Sequence, residues 1–178
     1  SSEQPPPLRL VWMSPAELRW LHDTAATMTS VAEIGSLHGR SAYALATGCP
    51  GLVWCVDPWD DAADQSYPSF AANTATLPNI RACRGRSPEV ATLVPDVDMV
   101  FLDGDHEYEA VLADITAWLP KTRRLLCGHD YNHPGFPGVR RAVEGLFPYR
   151  VRPAVGAGWA RGAMSIWVVA VAKPARSR

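Results

Sequence analysis

Short apolar runs of strand length recur along this chain, each followed by turn residues and then by a stretch of helical period. This alternation constrains the fold more than any other feature. The runs are Val31–Ile34, Leu52–Val56, Ile80–Cys83, Val97–Leu102 and Arg124–Cys127. The helical period is clearest where Tyr108, Val111, Leu112, Ile115 and Trp118 share one face, and again where Val139, Ala142, Val143 and Leu146 do. Strand and helix alternating in this way predict a mostly parallel sheet with helices on both faces and right-handed crossovers. The pattern opens at Ser14-Pro15-Ala16-Glu17, where Ser14 caps a helix, Pro15 suits its first position and Glu17 completes a capping box. Leu18, Leu21, Ala25 and Met28 follow at helical spacing. From Tyr149 the pattern changes: Tyr149–Val155 and Ala163–Ala172 are extended runs joined by Gly156-Ala157-Gly158-Trp159, which predicts an antiparallel hairpin. Residues 1–13 read as a flexible arm and 14–178 as one domain, a chain of 178 residues being long enough for one core and too short for two ordinary ones.

Composition excludes several classes. Hydrophobic residues at 47% and charged residues at 20% exclude disorder and coiled coil. The longest apolar stretch, Ile166–Ala172, falls far short of the roughly 18 residues of a spanning helix, and the proline-rich start does not resemble a signal peptide. The expectation is a cytoplasmic protein with no membrane partner. Cys49, Cys55, Cys83 and Cys127 form no CxxC pair and read as buried free thiols. A net charge of −1 argues against a nucleic-acid partner. The charge is unevenly divided, with 6 basic and 16 acidic residues in 1–118 against 11 basic and 2 acidic in 119–178. Either the two parts neutralise each other in the fold, or the basic part forms a face for an anionic substrate.

In a parallel sheet of this kind ligands sit at the carboxyl ends of the strands. The first strand runs through Glu33 and Ile34 into Gly35-Ser36-Leu37-His38-Gly39-Arg40-Ser41, a glycine loop leading to a helix. It lacks the GxGxxG of a dinucleotide site and suits a ligand without a pyrophosphate, or only a tight turn. Asp57 ends the second strand, 22 residues past Gly35, where an acid can accept hydrogen bonds from both ribose hydroxyls. After the third strand comes Ser87, which caps a helix, borders an adenine ring, or does both. The fourth strand ends in Asp103-Gly104-Asp105-His106 and the fifth in Gly128-His129-Asp130-Tyr131-Asn132-His133. Neighbouring parallel strands bring such ends roughly 5 Å apart, so Asp103, His129 and Asp130 could share one cation. The plainer alternative has the two aspartates capping the helices that follow.

EIGSLHGRS, VDPW, FLDGDHEYEAVLADITAWL and GHDYNHPGFPGVRRAV together resemble the small bacterial class I S-adenosylmethionine-dependent methyltransferases, in the group related to macrocin O-methyltransferase and cephalosporin-hydroxylase-like proteins. The resemblance covers about residues 30–147, and DGDHxY followed by GHDY is its specific part. It implies a Rossmann-like α/β fold with a seven-stranded, mostly parallel sheet ending in the antiparallel hairpin. It implies S-adenosylmethionine along Glu33, Gly35, Ser36, Gly39 and Ser41, with Asp57 at the ribose, Ser87 near the adenine and Asp103 beside the cofactor. It further implies a divalent metal, magnesium or manganese, on Asp103, His129 and Asp130, with His106 as general base. Relatives carry two oxygen donors at the fifth strand where this chain has His129 and Asp130, and a Pro-Gly-Gly turn where it has Lys121-Thr122-Arg123-Arg124, a change expected to affect only a loop.

These features support O-methylation of a small vicinal-diol or catechol-like acceptor, by a monomer or a homo-oligomer. Two other readings remain at the level of the sequence. A metal-dependent hydrolase could use the same Asp and His residues but has no use for Glu33, Gly35, Gly39 and Asp57. A cofactor-binding module without catalysis is the other.

Overall fold

Along the central strands alternate side chains point to opposite faces, and each face has gathered its own apolar core. The structure is a computed structural model and describes residues 13–60, 65–154 and 165–171. Seven strands form one sheet: β1 (Val31–Ile34), β2 (Val53–Asp57), β3 (Ile80–Arg84), β4 (Val97–Leu102), β5 (Thr122–Gly128), β6 (Arg152–Pro153) and β7 (Trp167–Ala170). The helices are α1 (Pro15–Ala25), α2 (Arg40–Gly48), α3 (Ser66–Thr74), the single turn α4 (Ser87–Val90), α5 (Tyr108–Trp118) and α6 (Pro137–Leu146). On one face Ala32, Ile34, Val100 and Leu102 meet Val111, Ile115 and Trp118 of α5 and Val139 and Val143 of α6. On the other, Val31, Met99 and Phe101 meet Leu21 and Ala25 of α1, Ala42 and Leu45 of α2, and Phe70 of α3.

The strand order is β3-β2-β1-β4-β5-β7-β6, parallel from β3 to β5 and antiparallel for β5–β7 and β7–β6. The fold class expected from the sequence is therefore present. The chain leaves β1 towards β2 in one direction and crosses to β4 in the other, so the switch point where α/β sheets open a crevice lies between β1 and β4. The capping box also forms: Ser14 N donates to Glu17 Oε1 at 3.0 Å and Glu17 N to Ser14 Oγ at 3.2 Å. All four cysteines are free, Cys55 and Cys83 lying on the adjacent strands β2 and β3. Among the described residues no helix is long and apolar enough to cross a membrane.

Four expectations are corrected. An arm ending at residue 13 is one residue too long at its inner end, since Met13 is buried in the same core cluster as Leu21 and Ala25; residues 1–12 lie outside the described residues. The first hairpin strand begins later than the apolar run, at Arg152, because Tyr149 adopts φ +63° in the turn that follows α6 and is almost fully exposed. Its connecting segment, Gly156–Trp159, lies outside the described residues. Leu146 does not join the core face of α6; the helix ends there and Phe147 turns inward instead. Lys121–Arg124 is more than a loop. Thr122 opens β5, fully buried, and Arg123 and Arg124 together oppose Asp98 across a β-bulge between the pairs Val97–Thr122 and Met99–Leu125. Arg123 Nε lies 2.9 Å from Asp98 Oδ1 and Arg124 Nη1 4.0 Å from Oδ2. Two of the C-terminal arginines thus face one acid from the N-terminal part of the chain, whose single charge offsets one of them.

Candidate functional site

The loop after β1 turns on three residues in the left-handed region, Gly35 (φ +91°), Leu37 (φ +45°) and Gly39 (φ +87°). Glycine is needed at position 35 for a reason the sequence did not reveal. A Cβ there would lie 2.2 Å from the Asp103 carbonyl oxygen, so the close approach is to the backbone at the end of β4 before it is to any ligand. The Asp57 carboxylate latches the loop to β2: Oδ2 accepts the Leu37 amide at 3.0 Å and Oδ1 the Trp59 amide at 2.7 Å. Trp59 closes the latch from the other side, its buried indole Nε1 donating to the Leu37 carbonyl at 2.8 Å. Asp57 thus stands at the rim of the crevice with its carboxylate already oriented.

Glu33 lies beneath the loop, fully buried, and neither of its carboxylate oxygens has a hydrogen-bond partner among the described residues. Burial pushes its carboxyl up to about 7, with Asp57 adding to the rise; the nearby hydroxyls of Ser41 and Ser36 favour the charged form without completing a bond. A buried orphan acid beside a glycine loop fits a cationic ligand group, since an unmet acceptor of this kind otherwise costs about 1–3 kcal/mol or more. Ser36 Oγ is also without a partner, and Ser41 is buried alongside.

On the other side of the switch point the ends of β4 and β5 meet. Asp103 N continues the ladder to Ile34 O at 2.8 Å and His129 N to Leu102 O at 3.1 Å, so both residues are held by the sheet itself. Asp130 then turns the chain with φ +61°, a conformation Asp tolerates better than most residues. His129 Nδ1 lies 3.1 Å from Asp130 Oδ1 and 3.8 Å from Asp103 Oδ1, and one ligand atom from each of the three residues falls within 4.8 Å of the others. Such separations match donors spaced around one cation at metal–ligand distances of about 2.0–2.6 Å. The residues present fit a divalent cation. One nitrogen among carboxylates suits manganese or another transition metal better than magnesium.

The electrostatics agree with a site for positive charge. Burial pushes the Asp103 carboxyl well above the usual range; His129 opposes this, while the charges of Asp130, Glu33 and Glu17 add to it. Burial alone would lower His129, but hydrogen bonds to Asp130 and Glu17 and the charge of Asp103 hold a proton on the ring, up to about 10. A cation seated here would displace that proton. His106 stands next to the cluster, Nδ1 3.3 Å from Asp130 Oδ2, its ring stacked on Phe136 with centroids 4.1 Å apart. Burial lowers its pKa, against the pull of Asp130 and Asp105, and leaves it a neutral base at pH 7.

The structure brings Asp103, His106, His129 and Asp130 together, and places Glu33, Gly35, Ser36, Gly39, Ser41 and Asp57 around the loop across the switch point. The aspartates do not cap α5 or α6, whose N-cap residues are Glu107 and Phe136. Ser87 departs from one expectation. It is the first residue of α4 and makes no capping bond; its hydroxyl accepts from Trp118 Nε1 at 2.8 Å and stands near Asp114, whose carboxyl burial pushes up while that hydroxyl favours its charged form. Three residues around the site carry no signal of it in the sequence. Trp59 follows Asp57 in VDPW, Phe136 is an aromatic beside the histidines, and Glu17 completes a capping box. Nothing local in the sequence links Glu17 to His129, 112 residues away.

A family model described as a methyltransferase domain matches residues 32–131. No curated protein matches the chain. Several solved structures are similar. The O-methyltransferase from Bacillus cereus, in complex with SAH, is 20% identical with a TM-score of 0.67, covering 90% of this chain and 82% of that one. TomG from Streptomyces achromogenes, an O-methyltransferase of tomaymycin synthesis in complex with SAM, is 21% identical with a TM-score of 0.69 and the same coverage of 90% and 82%. Cofactor-bound Rv0187 from MTB is 19% identical with a TM-score of 0.73, covering 91% and 82%.

Proposed function

Because this chain belongs to the methyltransferase-domain family, matched over residues 32–131, we propose that it is an S-adenosylmethionine-dependent O-methyltransferase of small hydroxylated molecules, of vicinal-diol or catechol type. We read it as assisted by a divalent cation, manganese or magnesium. The observation that carries the reading is the junction of two half-sites at the β1/β4 switch point: an orphaned buried acid under a glycine loop, and a three-residue cation cluster with a neutral histidine beside it.

Methyl transfer from a sulfonium is an in-line displacement, so the protein has two duties, aligning the acceptor oxygen and taking its proton. Alignment can contribute about 7–11 kcal/mol and a placed base about 10²–10⁴-fold. Asp57, with its carboxylate fixed by Leu37 and Trp59, would hold the ribose hydroxyls, and Glu33 would receive the amino group of the methionine moiety. Asp103, His129 and Asp130 would hold the cation. When bound, the cation would lower the pKa of a chelated hydroxyl and fix its direction. His106 points Nδ1 at Asp130, which leaves Nε2 as the atom that takes the proton. The stacked Phe136 holds the ring in that orientation.

Two measurements test this. Calorimetry should show S-adenosylmethionine binding that Asp57→Ala weakens tenfold or more, in keeping with about 1.5–3 kcal/mol for bonds to a charged group. Methyl transfer to a panel of catechols and vicinal diols should stop in excess chelator, while cofactor affinity stays nearly unchanged. His106→Ala should lower turnover and spare metal binding. Full turnover in chelator would remove the cation from the mechanism and leave His106 as a base acting alone; no cofactor binding at all would return the Asp/His cluster to a hydrolase.

A further inference from the structure

Glu17 fills its capping role with only one of its two carboxylate oxygens. Oε1 accepts the Ser14 amide at 3.0 Å, while Oε2 turns away from the helix and lies 2.7 Å from His129 Nε2. Oε2 also receives the Ser165 amide at 3.3 Å and the Ser165 hydroxyl at 3.4 Å, and that hydroxyl lies 3.0 Å from His129 Nε2. Both Glu17 and His129 are 6% exposed, so the contact is an interior one. A capping box is satisfied equally by Gln, which makes a buried charge at this position unnecessary for the helix.

We propose that Glu17 is a positioning residue for the cation site. By accepting a hydrogen bond from Nε2–H, its carboxylate fixes His129 in the orientation and tautomer that turn the Nδ1 lone pair to the space between Asp103 and Asp130 where a cation would sit. The inference rests on the cation reading above. Its geometry is that of a metal-ligating imidazole: one ring nitrogen faces the donor set, 3.1 Å and 3.8 Å from the nearest carboxylate oxygens, and the other is tied to a carboxylate outside that set. Ser165, just before β7, meets the same ring nitrogen and donates its hydroxyl to the same Glu17 oxygen. The N-terminal helix thereby becomes part of a site otherwise built from strand ends.

The test uses the full chain and Mn²⁺ alone, followed by electron paramagnetic resonance of free and bound metal and by spin-echo modulation from coordinated nitrogen. The unmodified protein should bind one Mn²⁺ with a nitrogen signature. E17A should weaken binding about 10–100-fold and lose that signature, the usual cost of removing such a partner. Should E17A not fold, E17D carries the same expectation, since it keeps an acid in the first turn and falls short of Nε2. S14A removes the capping hydroxyl without touching His129; it should melt earlier and bind Mn²⁺ as the unmodified protein does. In an H129A background, E17A should cost nothing further. If E17A or E17D keeps full affinity and the nitrogen signature while D103A abolishes binding, the role of Glu17 is refuted and the cation site stands. If S14A loses as much affinity as E17A, Glu17 acts only through its helix and the proposal is overturned. If the unmodified protein binds no Mn²⁺, the cation reading fails and takes the role of Glu17 with it.

Discussion

On the proposed function, Glu33 would serve cofactor binding at the expense of stability. In the folded protein its carboxyl is pushed from 4.5 up to about 7, burial being the main cause. A raised acid binds its proton more tightly folded than unfolded. Its contribution is therefore most favourable below about pH 4.5, is lost as pH rises towards 7, and stays lost above that. The whole swing is about 3 kcal/mol at 1.36 kcal/mol per unit. Glu33→Gln should flatten stability across that window and melt higher than the unmodified protein at pH 8, while binding S-adenosylmethionine more weakly. Thermal melts of the apoprotein from pH 4.5 to 8 check the first part and calorimetry the second. Parallel curves for the two proteins would show that Glu33 keeps its charge in the fold.

At the scale of elements, the bulge between β4 and β5 does what a regular ladder could not. It sets two successive residues, Arg123 and Arg124, against Asp98, whose carboxylate also accepts Thr29 N and Oγ1, both at 2.8 Å. Burial of Asp98 opposes its charge, but the bonds from Thr29 and Arg123 outweigh it and lower its pKa. One side chain thus ties the turn before β1 to β4 and to the start of β5. Asp98→Ala should destabilise the fold by about 2–4 kcal/mol, the loss of several charge-assisted bonds at a buried acceptor. Urea unfolding at pH 7 measures it. A depressed acid stabilises at neutral pH and loses that contribution as pH falls through its range, so the gap between the two proteins should narrow in acid. An equal gap at pH 7 and pH 3 would assign the loss to packing alone.

For the whole molecule, the switch point sets the two proposed half-sites side by side, and Gly35 sets the spacing of the strand ends that carry them. With a Cβ at 2.2 Å from the Asp103 carbonyl, Gly35→Ala must push the end of β1 from the end of β4, and its φ of +91° adds strain. The substitution should therefore weaken both S-adenosylmethionine and Mn²⁺ binding, although Gly35 would touch only the first. Calorimetry with each ligand separately distinguishes this from local damage to the loop. Loss of the cofactor with full retention of the metal would mean that the two halves are held apart by something else.

Much of this was determined locally and could be read along the chain. Strand and helix periods depend on which neighbours share a face, so the alternation, the five parallel strands, the closing hairpin and the capping box were all legible. So were the residues at the strand ends, because a parallel sheet carries its ligands there whatever the loops do. The tertiary structure decided what depends on distance through space. It joined Glu17 to His129, gave Ser87 to Trp118 in place of a cap, turned an expected loop at Lys121–Arg124 into a bulge facing Asp98, and made Gly35 a spacer between strands. Each of these contacts spans dozens of residues, and its energy appears only once the sheet has brought the partners within a few ångströms. Local pattern specifies the elements; the chemistry at their ends waits for their order in the sheet.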